Sequence, residues 1–233
     1  NHLEGQREIQ VSADLKDPSN SATDILDDIL EEVKIAMPNV QNLSILGIAE
    51  PFYKNRIFDV FEKLEFTKYR DNILFWTFCN GTIFTERAQD RFLNIVKNVH
   101  LGFSIDAGTA ETYIKIRRLD YFNKIKKNLT SYFKKVKEKT EINDRSYTTN
   151  NINLYNVYEL KEMIDLGIEV GSNSTQFTLT MKYQADLKID DSKLCNSNNW
   201  KIFWEAQKDA EEYAKSKNYN VDFYVPFHNG YLK

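Results

Sequence analysis

Three short polar groups in this chain combine residue types and spacing that could do chemistry, and each closes an apolar run. Gly47-Ile48-Ala49-Glu50-Pro51 closes the run that begins at Leu43, Cys79-Asn80-Gly81 closes LFWTF (Leu74 to Phe78), and Ser104-Ile105-Asp106 closes the run from Leu101, with Arg117 and Arg118 a helix further on. Glu50 and Asp106 are suited to binding an amine; Ser104 and the arginines are suited to a carboxylate, Arg through its bidentate fork. Each residue also has a plainer structural use. Glu50 could be an acid before the helix that begins at Arg56, favoured by the helix dipole. Asn80-Gly81 suits a positive-φ turn, and Asp106 could cap the helix after Gly108. Ser104 taken singly is an ordinary structural hydroxyl, and Arg117-Arg118 could pair with Asp120 or Glu111 at the surface. Cys79 has no neighbouring His or Lys in sequence to lower its pKa and reads as a buried, inert thiol. The spacing supports no Ser-His-Asp or Cys-His arrangement and no GxxxxGK phosphate loop.

These groups need a scaffold that brings strand ends together, and the periodicity supplies one. Trp76 to Arg118 reads as strand, turn, helix, strand, turn, helix, and consecutive βα units of this kind argue for a parallel sheet or barrel with function at the strand C-termini. EIQVSA (Glu8 to Ala13) alternates as a first strand after a loose end at residues 1–7. Ser21 to Asp24 resembles a capping box opening a helix with Ile25, Leu26, Ile29, Leu30 and Val33 on one face, stopped by Pro38. Leu43 to Ile48 is an apolar strand, and Arg56 to Leu64 a helix with Ile57, Val60, Phe61 and Leu64 inward. Asp120 to Lys139 is a long helix whose lysines form a solvated face. Asn143 to Asn153 is polar and Asn-rich and reads as a poor candidate for a buried strand. Tyr158 to Val170 is helix, Thr175 to Tyr183 strand, Asp186 to Asn199 a polar loop, Trp200 to Lys217 helix, and VDFYVPF a last strand. About six strands alternating with helices predict one α/β domain over residues 1–233.

Bulk composition narrows the function classes. At 233 residues with 42% hydrophobic and 28% charged residues, the chain can bury one sizeable core as an ordinary soluble protein. A net charge of −3 argues against a nucleic-acid partner, which calls for a basic surface. No apolar run approaches the roughly 20 residues of a membrane span. There is no basic-plus-apolar leader, and two cysteines make no disulfide framework, so a reducing cytoplasm is the expected setting. The three histidines are too scattered to suggest a metal site by spacing.

Taken together, the strand-end residues resemble the radical S-adenosylmethionine superfamily, and most closely the members that mature peptides or modify sugars. Members show a G-x-G-E-P turn after strand two, T-N-G after strand three and S-x-D-x-x-x-x-E-T-Y-x-x-I-R after strand four. Here these stand as Gly47-Ile48-Ala49-Glu50-Pro51, Cys79-Asn80-Gly81, and Ser104-Ile105-Asp106 with Glu111-Thr112-Tyr113 and Ile116-Arg117; Asn156 with Glu159-Leu160 is similar to the family's N-x-x-E-L helix start. The resemblance covers about Ser21 to Val170. It implies a partial (β/α)6 barrel holding S-adenosylmethionine along the strand C-termini. Gly47, Ala49 and Glu50 would receive the amino group of its methionine part, with Asn80 and Asp106 facing the cofactor and Ser104 and Arg117 near its ribose or carboxylate. A small molecule or a peptide would be the substrate.

The departures are equally specific. The family's C-x-x-x-C-x-x-C motif, which ligates a [4Fe–4S] cluster, should follow strand one near Leu15-Lys16, yet residues 1–78 hold no cysteine. Ala49 stands where the family has its second glycine, and Cys79 where it has Thr. Three readings follow from the resemblance. The full-length protein could carry a cluster loop that this sequence lacks, and then generate a 5′-deoxyadenosyl radical. The chain could instead be a cluster-less barrel kept as a binding or scaffold module, or an unrelated barrel whose turns mimic the motifs. Relatives often continue into a second cluster domain, so the chain also reads as a fragment of a longer protein.

Overall fold

Short apolar runs separated by amphipathic helices fold here into parallel strands laid side by side. The structure, a computed structural model, describes residues 8–13, 22–47, 50–179 and 200–224. The elements run β1 (Glu8–Ala13), α1 (Ala22–Ala36), β2 (Asn42–Gly47), α2 (Arg56–Lys63), β3 (Leu74–Cys79), α3 (Glu86–Ile95), β4 (Asn98–Ser104), α4 (Ala110–Arg117), α5 (Phe122–Glu138), β5 (Asn143–Asp144), β6 (Tyr147–Ile152), α6 (Leu160–Val170), β7 (Ser174–Leu179), α7 (Trp200–Ser216) and β8 (Asn220–Tyr224). The strand order is β1-β2-β3-β4-β6-β7-β8, with β5 beside β4. The pairs β1/β2, β2/β3, β4/β5, β6/β7 and β7/β8 are parallel. The chain is therefore an α/β protein built on a parallel sheet, as the βα periodicity predicts.

The chain divides into two compact units. The first comprises Asn1–Gly102 with Lys134–Ser146, the second Phe103–Phe133 with Tyr147–Lys233. In the first, α2 buries Ile57, Phe58, Val60 and Phe61, and α3 buries Phe92 and Leu93 behind its Thr85 N-cap. A phenylalanine cluster forms its interior. Phe92 meets Phe52 at 5.5 Å, Phe75 at 5.8 Å and Phe84 at 5.8 Å between ring centroids, mostly edge to face. Each buried ring contributes roughly 2–3 kcal/mol of hydrophobic stabilisation before entropy is counted.

The second unit is closed by Ile152, Val157, Leu160, Met163, Ile164, Phe177 and Phe203, with Phe223 stacked on Phe177 at 4.8 Å. Helix α6 ends at Gly171, whose φ of 85° is a left-handed stop that a glycine adopts freely.

One expectation fails here. The Asn-rich stretch read as a poor strand contains β6, in which every residue except Asn151 is buried. The reason is satisfaction rather than hydrophobicity. Thr148 Oγ1 lies 2.8 Å from Thr175 Oγ1, the Thr148 amide donates to Ser172 Oγ at 3.2 Å, and Asn150 Oδ1 accepts the Asp106 amide at 3.0 Å. Polar side chains can fill a sheet interior when each finds a partner, and those partners come from residues distant in sequence. With the two-residue β5, this strand raises the expected six to eight among the described residues. The expected capping serine Ser21, the loop at 186–199, and the ends of the seventh and last strands lie outside the described residues.

Candidate functional site

In the first unit, the parallel register Asn42↔Leu74 to Ser44↔Trp76 runs β2 and β3 in the same direction, so their C-terminal ends emerge on one edge. Gly47 is the last residue of β2 and pairs with Ala13 of β1. Ala49 lies outside the described residues. Glu50 follows, its place anchored by Phe52, which is 3% exposed and packs on Phe84 at 4.2 Å. The Glu50 carboxylate makes no side-chain cap for α2. Instead its Oε2 accepts the Asn80 amide at 2.8 Å, while Oε1 is buried with no hydrogen-bond partner among the described residues. Burial pushes the Glu50 carboxyl up to about 7, against the opposing pull of the Asn80 and Phe52 amides. A buried carboxylate oxygen lacking a donor is a place where a cationic N–H group gains both a hydrogen bond and a charge partner.

Asn80 contributes through its main chain. Its side-chain Oδ1 is occupied by the Thr82 amide at 2.9 Å and the Thr82 hydroxyl at 2.5 Å, closing a turn in which Gly81 has φ 72°. The positive-φ turn expected of Asn80-Gly81 is thus present, and it aims the Asn80 amide at Glu50. Cys79 is 3% exposed, and burial, with the Glu50 charge beside it, pushes its thiol well above the ordinary range. It is a protonated, inert thiol.

In the second unit, Ser104 ends β4 and is partly exposed. Two residues on, Asp106 is buried at 6% exposure with φ 66°, a conformation aspartate tolerates better than most residues. Its Oδ1 accepts the Asn151 amide at 2.7 Å, and its Oδ2 stands 2.6 Å from Arg117 Nη2. Burial raises the Asp106 carboxyl, and the Arg117 guanidinium and the Asn151 amide oppose the rise.

Two of the plainer uses are thereby corrected. Asp106 does not cap α4; Thr109 does, its hydroxyl accepting the Thr112 amide at 3.3 Å. Arg117 pairs with Asp106 rather than with Asp120 or Glu111: helical side chains lean toward the N-terminus, and over a helix of only two turns the long arginine side chain reaches back to the bend. Arg117 Nε is buried without a partner among the described residues, leaving this guanidinium an unspent donor.

Sequence reasoning missed Asn150, which holds the Asp106 amide, and matched Asn156 and Glu159 only as a motif without a task. The signal was present in the Asn-rich run after α5, but a polar run has no periodicity that separates a satisfied interior strand from a loop.

The donor set decides how well the implied groups fit. An ammonium fits at Glu50 Oε1. A [4Fe–4S] cluster does not fit the residues of this sequence, because two cysteines cannot supply its thiolates and Cys79 is buried and protonated. Among the described residues no group of His, Cys, Asp and Glu is arranged to hold a metal ion.

No protein-family model and no curated protein matches the sequence. Solved structures do match the fold. Streptococcus suis SuiB bound to precursor peptide SuiA superposes with a TM-score of 0.59 at 15% identity over 84% of this chain and 41% of that one. Native anSMEcpe with bound AdoMet gives 0.60 at 18% identity, over 84% of this chain and 54% of that one. A radical SAM methyltransferase from Sphaerobacter thermophilus gives 0.53 at 11% identity, over 85% and 55%. The shared element is the fold. The parallel α/β arrangement is that of the radical SAM partial barrel, and the chain spans about half the length of these structures. Among the described residues no helix is long and apolar enough to cross a membrane.

Proposed function

We propose that this chain binds S-adenosylmethionine at the C-terminal ends of its strands. Two assignments, one in each unit, make up the proposal, and each is tested by itself. In the first, Glu50 receives the ammonium of the methionine moiety, with Gly47 and Ala49 forming the turn and the Asn80 amide holding the carboxylate in place. In the second, Ser104 and Arg117 face the ribose or the carboxylate, with Asp106 orienting Arg117. The observation that carries the reading is the buried Oε1 of Glu50, which has no partner among the described residues. The likeness to structures solved with AdoMet bound supports it.

The reading is of a cluster-less binding module of radical SAM fold, acting as one domain over residues 1–233 in the cytoplasm. Because the residues of this sequence do not fit an iron–sulfur cluster, no radical step is assigned to them. The runner-up is a radical SAM enzyme whose cluster cysteines belong to the full-length protein. Structures solved with peptides favour a peptide as its substrate, ahead of another small molecule.

Calorimetry tests the two assignments separately: Arg117→Ala is expected to weaken S-adenosylmethionine binding, and an unchanged affinity contradicts the second. The chain is expected to bind S-adenosylmethionine more tightly than 5′-methylthioadenosine, which lacks the amino-acid moiety, and Glu50→Gln is expected to abolish that preference. Equal affinity for the two ligands, or no binding of either, contradicts the Glu50 assignment. After anaerobic reconstitution the chain is expected to hold far less than one cluster; stoichiometric iron would overturn the cluster-less reading.

A further inference from the structure

The bend from Asp106 to Thr109 joins β4 to α4, and two side chains from one short turn of the second unit grip both of its ends. Asn156 is fully buried and spends both Nδ2 protons on main-chain carbonyls, those of Asp106 and Asn151, each at 2.9 Å. Its Oδ1 accepts the Asn153 amide at 2.8 Å, so its geometry is fixed on three sides. Three residues later, Glu159 Oε2 accepts the amides of Gly108 at 3.0 Å and Thr109 at 3.2 Å. Its Oε1 accepts the hydroxyls of Thr109 at 2.8 Å and Thr112 at 2.5 Å. The bend has no slack against α6: a Cβ added to Gly108 would lie 2.5 Å from the Glu162 Cβ.

Asn156 is fully buried and Glu159 already accepts four hydrogen bonds, so both act on the bend rather than on a ligand. That backbone carries Asp106 at one end and leads into α4 and Arg117 at the other, and those two residues meet at 2.6 Å. A shift of the bend moves both members of the ion pair. We propose that Asn156 and Glu159 are positioning residues that hold the 106–109 bend, so that Asp106 fixes one arm of the Arg117 guanidinium and its remaining donors stay aimed at a ligand. The inference rests on the reading of Arg117 as a cofactor-facing residue.

The test uses the whole chain in two measurements. Without ligand, the Arg117 Nε–H resonance is followed by 15N-edited NMR in wild type, Asn156→Ala and Glu159→Gln. With ligand, S-adenosylmethionine affinity is measured for the same variants in wild-type and Arg117→Ala backgrounds. In folded variants the Arg117 resonance is expected to shift and broaden, and affinity to fall about tenfold, as a small misplacement of a binding group produces. In the Arg117→Ala background the same substitutions are expected to change affinity less than about twofold, since the effect runs through Arg117. An unchanged Arg117 resonance, or an equal affinity loss without Arg117, overturns the proposal. If Asn156→Ala does not fold, Glu159→Gln, which keeps the size and one acceptor oxygen, carries the comparison. If wild type binds no S-adenosylmethionine, the cofactor reading fails while the Arg117 resonance still decides the positioning role.

Discussion

The Glu50 carboxylate accepts the Asn80 amide at 2.8 Å across 30 positions of sequence, tying the turn after β2 to the turn after β3. One oxygen of the carboxylate is thereby spent and the other is buried with no donor among the described residues.

That arrangement makes stability depend on pH in a stated direction. The carboxyl titrates at about 7 in the folded chain against an ordinary 4.5. Below the ordinary value both folded and unfolded chains hold the proton, and Glu50 has no effect. Between the two values the unfolded chain ionises while the folded chain does not, so stability falls as pH rises, and above the folded value the whole penalty is present. At its ceiling that penalty is about 3 kcal/mol. Glu50→Gln is expected to melt with wild type near pH 4 and above it near pH 8, by thermal denaturation at both pH values. A variant that is less stable at pH 8 contradicts the buried, donor-poor site. Bound S-adenosylmethionine is expected to stabilise wild type more at pH 8 than at pH 5, because its ammonium needs the ionised carboxylate.

Phe92 sits at the centre of the ring cluster in the first unit, fully buried against Phe52, Phe75 and Phe84. Phe92→Ala is expected to cost about 3–5 kcal/mol in urea denaturation, the usual range for removing a buried ring. Since Phe52 stands two residues from Glu50, the same variant is expected to lower the raised Glu50 pKa, read by carboxyl 13C NMR.

Asn150 is 2% exposed, and its Oδ1 receives the Asp106 amide at 3.0 Å. Asn150→Ala leaves that amide without its acceptor and is expected to cost about 1–3 kcal/mol. Hydrogen exchange at the Asp106 amide is expected to speed up by more than exchange across β7. Uniform acceleration in both places would mean that Asn150 acts only on global stability.

Cys79 combines burial with a pKa pushed well above the ordinary thiol range. Iodoacetamide at pH 8 is expected to leave Cys79 unmodified in the native chain and to alkylate it in guanidinium, as read by peptide mass spectrometry. Rapid native alkylation would show that the end of β3 opens to solvent.

Much of the fold was legible because its signals are local. EIQVSA and LFWTF alternate or run apolar over short spans, and each predicted strand appears at β1 and β3, with the second extended by Cys79. The α5 and α7 helices follow from apolar residues at helical spacing, within two residues of the expected ends. The strand-end residues were also legible as candidates, because in a parallel sheet the loops leaving the strand C-termini gather chemistry.

Tertiary structure alone decided what those candidates do. The sequence determines that Glu50, Asn80, Asp106 and Arg117 lie after strands or in a last helical turn. It contains nothing that says the Asn80 amide, rather than its side chain, reaches Glu50, or that Asp106 turns from the α4 cap to Arg117. Nor does it show that a strand of Thr and Asn can be interior, since its partners Ser172, Thr175 and Asp106 are 24 to 44 residues away. Hydrophobic burial leaves a periodic trace along the chain, whereas polar satisfaction depends on which distant groups the fold brings within hydrogen-bond reach. The site around Glu50 and the bend at Asp106 are of the second kind.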